Sequence, residues 1–120
     1  MWIYSQFTGK LNRNGSSRGI GYSGHGEGLN NPYLQSESMI GPLPVGKYTI
    51  GKAITHPKLG PLVMPLIILP GHETFNRGSF YIHGDNSSKN NTASEGCIIL
   101  DHNIRFEISK SLDRELTVTK

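Results

Sequence analysis

The chain carries one cysteine, Cys97, and it opens a short apolar run, Ile98-Ile99-Leu100. A second apolar run, Phe80-Tyr81-Ile82, ends at His83, and the segment between the two is rich in Asn, Ser, Gly and Thr. That pattern predicts strand, loop, strand. Paired as an antiparallel hairpin, the strands would set the His83 imidazole beside the Cys97 thiol at one edge of a sheet. A thiol is mostly protonated at neutral pH, and an adjacent imidazole takes its proton to leave a thiolate that attacks a carbonyl carbon. The pair is a candidate nucleophile and base.

The neighbouring residues extend this chemistry. Gly96 puts no side chain beside the sulfur, so a substrate is expected to approach there, and it permits an unusual backbone angle. The N–H groups of Gly96 and Cys97 are candidate oxyanion donors. Ser94 is placed to bond the turn backbone or the reacting groups. The Gly84 carbonyl is expected to hold the imidazole in one tautomer, with Asp85 as the second candidate for that role. Two other classes stay open. A lone cysteine entering a strand is often only a small buried apolar residue. A metal or ligand-binding module would draw on His83, Asp85, Cys97 and His102, although their spacing matches no metal signature. Papain-like and NlpC-type peptidases are disfavoured by chain order, since they place the cysteine before the histidine on a helix N-terminus.

His83-Gly84, a polar connector, and then Ser94-Glu95-Gly96-Cys97-Ile98-Ile99 resemble the signature of the YkuD-type L,D-transpeptidases. There, histidine-glycine is followed by Ser/Thr-His-Gly-Cys, an apolar residue and usually arginine. Glu95 stands in place of the second histidine and Ile99 in place of the arginine. The Ala-Ser-Glu-Gly-Cys-Ile-Ile-Leu version is similar to a divergent branch, the type VI secretion L,D-transpeptidase effectors. The resemblance continues through Gly21-Tyr22-Ser23-Gly24-His25-Gly26-Glu27-Gly28, Asn30-Asn31-Pro32 and Gly41-Pro42-Leu43-Pro44-Val45-Gly46-Lys47-Tyr48.

The resemblance implies a mainly β fold, a small β-sandwich or barrel with one or two short helices. It implies L,D-carboxypeptidase and L,D-transpeptidase chemistry on peptidoglycan tetrapeptide stems, with Cys97, His83, Ser94, Gly96 and Gly84 forming the catalytic set. Tyr22, His25, Glu27, Asp85 and Glu95 would lie along the substrate, and Arg105 is a candidate replacement for the arginine missing at Ile99. A free D-amino acid would serve as exchange substrate. A secretion apparatus and a cognate immunity protein are the implied partners, and no metal or organic cofactor is implied. The alternative within this family is a housekeeping cross-linker.

At 120 residues the chain predicts one domain, 1–120, large enough for a packed core. With one cysteine there is no internal disulfide, so packing must stabilise the fold. The formal charge of +3 is spread from Lys10 to Lys120. No basic stripe with interleaved aromatics argues for nucleic acid. No apolar run reaches bilayer length, and the N-terminal residues lack the pattern of a signal peptide. The expectation is a protein made in the cytoplasm and exported to act in the periplasm of a target bacterium.

The elements that must position the pair follow from local pattern. Trp2 to Phe7 predicts a strand, Lys10 to Arg13 its partner, Asn14-Gly15 the turn after it, and Arg18 to Ser23 a continuation. Asn31-Pro32 predicts a capped helical turn, and Lys47 to Ile50 a strand after a proline-rich turn. His56 to Pro61 predicts another turn. Leu62 to Leu69 predicts a strand buried on both faces, with Pro65 at an edge or bulge. Arg77 lies in the loop before His83, a candidate to meet an anionic group. Asp101 predicts the cap of a helix with Ile104, Ile108 and Leu112 on one face, and Leu116 to Val118 a last strand. The connector Gly84 to Gly96 is long for a hairpin, which predicts a lid over the thiol.

Overall fold

A computed structural model describes residues 1–120. The chain is mainly β. Ten strands run in the order β1 (Trp2–Ser5), β2 (Lys10–Arg13), β3 (Ser16–Ile20), β4 (Tyr22–Ser23), β5 (Gly46–Ile50), β6 (Ile54–His56), β7 (Gly60–Ile68), β8 (Tyr81–His83), β9 (Ile98–Ile99) and β10 (Glu115–Thr119). One α-helix, α1 (His102–Lys110), and two 3-10 turns, Gly26–Gly28 and Pro32–Leu34, complete it.

The strands hydrogen-bond along the path β3-β2-β1-β10-β5-β7-β8-β9-β4, with β6 paired to β7 off this path. β3 and β4 occupy opposite ends of that path, yet only Gly21 separates them in sequence. The chain therefore steps from one end of the sheet to the other at a single residue, and the sheet curls into a nearly closed barrel. The step is tight enough to require glycine: a Cβ on Gly21 would lie 2.0 Å from the Ile99 carbonyl oxygen.

Alternation with period two points one face of each strand inward. Trp2 and Tyr4 of β1, Tyr48 and Ile50 of β5, Met64 and Leu66 of β7, and Leu116 and Val118 of β10 share one buried cluster with Ile82 and Ile98. Burying a large apolar side chain contributes about 1.5–3 kcal/mol, so this interior supplies the stability that no disulfide provides. Helix α1 adds Ile104 and Ile108 to the cluster. Asp101 caps it, accepting from the Ile104 N–H at 2.9 Å.

Four expectations are corrected. β8 and β9 pair in parallel, not as an antiparallel hairpin, with Ile82 opposite Ile98 and His83 opposite Ile99. A parallel pair needs a return connection of about a dozen residues, and the Gly84 to Gly96 connector has that length, whereas tight hairpins use two to five. β7 is not buried on both faces, because Ile67 and Ile68 are 54% and 38% exposed. Its Pro65 sits at an irregularity, where Leu66 pairs with Ile50 of β5, Val63 pairs with Ile54 of β6, and the Gly51 N–H bonds to the Pro65 carbonyl between them. The missing proline N–H would point to that junction, so no ladder bond is lost. Leu112 lies beyond the end of α1 and is 98% exposed. Phe7 falls in the turn after β1 and is also exposed.

Candidate active site

Parallel pairing decides how the thiol and imidazole meet. With Ile82 level with Ile98, Cys97 comes level with Tyr81, two residues before His83. Alternation then puts Tyr81, His83 and Cys97 on one face. All three line a cleft of about 300 Å3, together with Glu95, with His56 at the end of β6 and with Lys58 from the turn that follows it.

His83 is buried, and its Nδ1 lies 2.8 Å from the Gly84 carbonyl oxygen. A carbonyl only accepts, so Nδ1 carries the proton and a neutral ring presents its lone pair at Nε2. Burial lowers the His83 pKa, with the Gly84 bond acting in the opposite sense and Arg105 and His56 adding to the lowering. Burial also pushes the Cys97 thiol up to about 11, against a hydrogen bond from the Tyr81 backbone that lowers it. Both shifts favour uncharged forms, so the resting pair is a thiol and a neutral imidazole rather than a preformed ion pair.

The backbone around Cys97 is held by two serines. The Ser94 hydroxyl donates to the Cys97 carbonyl at 2.6 Å and accepts from the Gly24 and Gly96 N–H groups at 2.8 and 3.2 Å. Ser23 Oγ donates to the same Cys97 carbonyl at 2.8 Å and accepts from the Leu43 N–H. The Cys97 N–H makes no hydrogen bond within the chain. Of the two amides expected to face a reacting oxygen, that of Gly96 is instead turned onto Ser94. Nor does Gly96 open space for a substrate: it is buried at φ +134, and a Cβ there would lie 2.5 Å from Arg77 Nη2 and 3.2 Å from the Phe80 ring. The glycine makes room for Arg77.

The structure disperses the remaining candidates. Tyr22 Oη donates to Asp85 Oδ1 at 2.7 Å and accepts from the Ala93 N–H at 3.0 Å, tying the two ends of the connector together. His25 Nδ1 donates to the Ser94 carbonyl at 2.7 Å. Glu27 lies elsewhere, in a larger cavity of about 850 Å3 lined also by Phe7, Tyr33 and Phe75, which shares no residue with the cysteine cleft. Arg77 is buried and donates to the carbonyls of Gln35, Gly41, Pro42 and Glu95. Arg105, also buried, donates to those of Leu100, Pro61 and Leu62, and a Cβ on Gly84 would lie 2.7 Å from its Nη2. No three of the chain's His, Cys, Asp and Glu side chains converge as a metal site, and His102 stands on α1, stacked with Phe106.

The sequence model of the Tlde1 domain matches residues 17–119. The chain belongs to the Tlde1 domain family. That family is one of type VI secretion effectors with L,D-transpeptidase activity, which brings with it a secretion apparatus, export to a target cell and peptidoglycan as substrate. No curated protein matches the chain. No helix of this Tlde1 domain is long and apolar enough to cross a membrane.

Several residues of the Tlde1 domain site escape a linear reading. Ser23 carries no local sign that its hydroxyl reaches the Cys97 carbonyl. His56, Lys58 and Tyr81 enter the cleft because the end of β6 and the turn after it fold against β8, with His56 and Tyr81 rings edge to face at 5.3 Å. No periodicity in the sequence announces that contact.

Proposed function

We propose that this Tlde1 domain is a cysteine acyl-transferase that removes or exchanges the terminal D-alanine of peptidoglycan tetrapeptide stems. The observation that carries the proposal is the shared cleft of Cys97 and His83, with the His83 proton held at Nδ1 by Gly84. His83 Nε2 takes the thiol proton as Cys97 Sγ bonds to the carbonyl carbon between the diamino acid and D-alanine. The negative charge on the carbonyl oxygen falls to the unpaired Cys97 N–H. His83 then returns the proton to the departing amine, the C–N bond breaks, and a thioester remains on Cys97. Water resolves it to the tripeptide, which is carboxypeptidase activity, or a free D-amino acid resolves it to an exchanged stem. Ser94 acts by holding the Cys97 backbone, Gly84 by orienting His83.

Both outcomes consume donor tetrapeptides in the periplasm of a rival cell. A producing cell then needs a cognate immunity protein to occupy the cleft. The connector from Gly84 to Gly96, which contributes Ala93 and Glu95 to the cleft, would move as its lid.

The test is incubation of the purified protein with tetrapeptide muropeptides, with and without D-methionine, beside Cys97→Ala and His83→Ala, followed by mass spectrometry. Loss or replacement of D-alanine by the parent protein alone is the expected result. Equal turnover by Cys97→Ala, or none by any of the three proteins, would overturn it.

A further inference from the structure

A peptide ending in a free carboxylate brings a negative charge close to the reacting carbonyl, and a cleft that takes it needs a cation there. Neither arginine suggested by the sequence lines the cleft: Arg77 and Arg105 are buried, each 8% exposed, and donate to backbone carbonyls. His83 is kept uncharged by burial. His56 Nδ1 accepts the N–H groups of Lys58 and Leu59 at 3.1 and 3.2 Å, so this ring is engaged in holding the turn.

Lys58 is different. It is exposed, lines the cleft with Cys97, and its ammonium takes part in no ion pair. The two bonds to His56 pin the turn that carries it, so its backbone is preorganised although its side chain is free. A lysine here is a mobile point charge with three donors, suited to a carboxylate that must first bind and then leave. Glu95 lines the same cleft with the opposite charge. It disfavours a carboxylate on its own side and so polarises the cleft.

We propose that Lys58 is the carboxylate anchor of the Cys97 cleft, its Nζ pairing with the terminal carboxylate of the bound stem peptide. The proposal rests on the stem-peptide function above, and one of its two tests does not depend on turnover. Cys97 is alkylated by iodoacetate, which carries a carboxylate, and by neutral iodoacetamide, and the ratio of the two rates is measured. Lys58→Met is expected to lower that ratio several-fold, Lys58→Arg to keep it, and Glu95→Gln to raise it. In the second test, kcat/KM is compared for the tetrapeptide and its C-terminal amide. Losing a charge-assisted pair costs about tenfold to a hundredfold. Lys58→Met should lose that factor on the acid and little on the amide, and Lys58→Arg should restore most of it.

An unchanged alkylation ratio, or equal losses on acid and amide, would overturn the anchor. A ratio that responds to Lys58 in a protein that cleaves neither peptide supports the carboxylate site and overturns the stem-peptide function.

Discussion

The Ser94 hydroxyl donates to the Cys97 carbonyl oxygen at 2.6 Å, three residues ahead in the chain, while its oxygen receives the Gly24 and Gly96 N–H groups. One fully buried side chain thus ties the nucleophile's peptide plane to the loop after β4. Ser94→Ala leaves two buried N–H groups without an acceptor, at about 1–3 kcal/mol each. We expect urea denaturation to show a loss of about 2–4 kcal/mol, and turnover of the still-folded variant to fall at least tenfold. Full activity in that variant would mean that the cysteine backbone needs no such support.

The thiol makes stability depend on alkaline pH. Its folded pKa, about 11, stands above the reference of 9.0, so the folded state keeps the proton longer than the unfolded chain. That contribution is complete below about pH 9 and is lost as pH rises through about 11, on the order of 3 kcal/mol in all. Denaturation midpoints of the parent protein and Cys97→Ala, followed across that range, should draw apart in this sense.

His83 shifts the other way. Its lowered pKa means that the unfolded chain protonates first as pH falls below about 6.5, so the folded state loses stability in mildly acid solution. The same shift keeps Nε2 unprotonated there. Turnover should persist below pH 6.5, and an acid limb centred at or above that value would contradict it.

Arg77 and Arg105 should behave as clips, not as substrate contacts. A lysine cannot reproduce the planar fork that spans several carbonyls. Arg77→Lys and Arg105→Lys are each expected to lower stability by about 2–3 kcal/mol. KM for a tetrapeptide, measured on the folded fraction, should stay within about twofold. A large rise in KM with unchanged stability would return either residue to the substrate side.

Gly21 offers a test of the barrel closure. A methyl group there would sit 2.0 Å from the Ile99 carbonyl oxygen, which belongs to the strand that follows Cys97. Relief requires β4 and β9 to part. We expect Gly21→Ala to cost about 3 kcal/mol or more and to reduce cysteine activity with it, measured by urea midpoint and turnover together.

What the sequence determined by itself was local. Most strand positions, the Asn31 and Asp101 caps and the turn at Asn14-Gly15 follow from residues a few positions apart, where propensity and hydrogen-bonding chemistry act directly. What only the tertiary structure decided was direction and company. The parallel sense of β8 and β9 depends on where the connector returns, and Tyr22 holds both of its ends from a distant strand. The side of Gly96 was equally closed to a linear reading, since the space it leaves is taken by Arg77, a residue from another loop. So was the cleft's free cation, because a lysine in a turn shows nothing of the wall that turn will face until the sheet has curled.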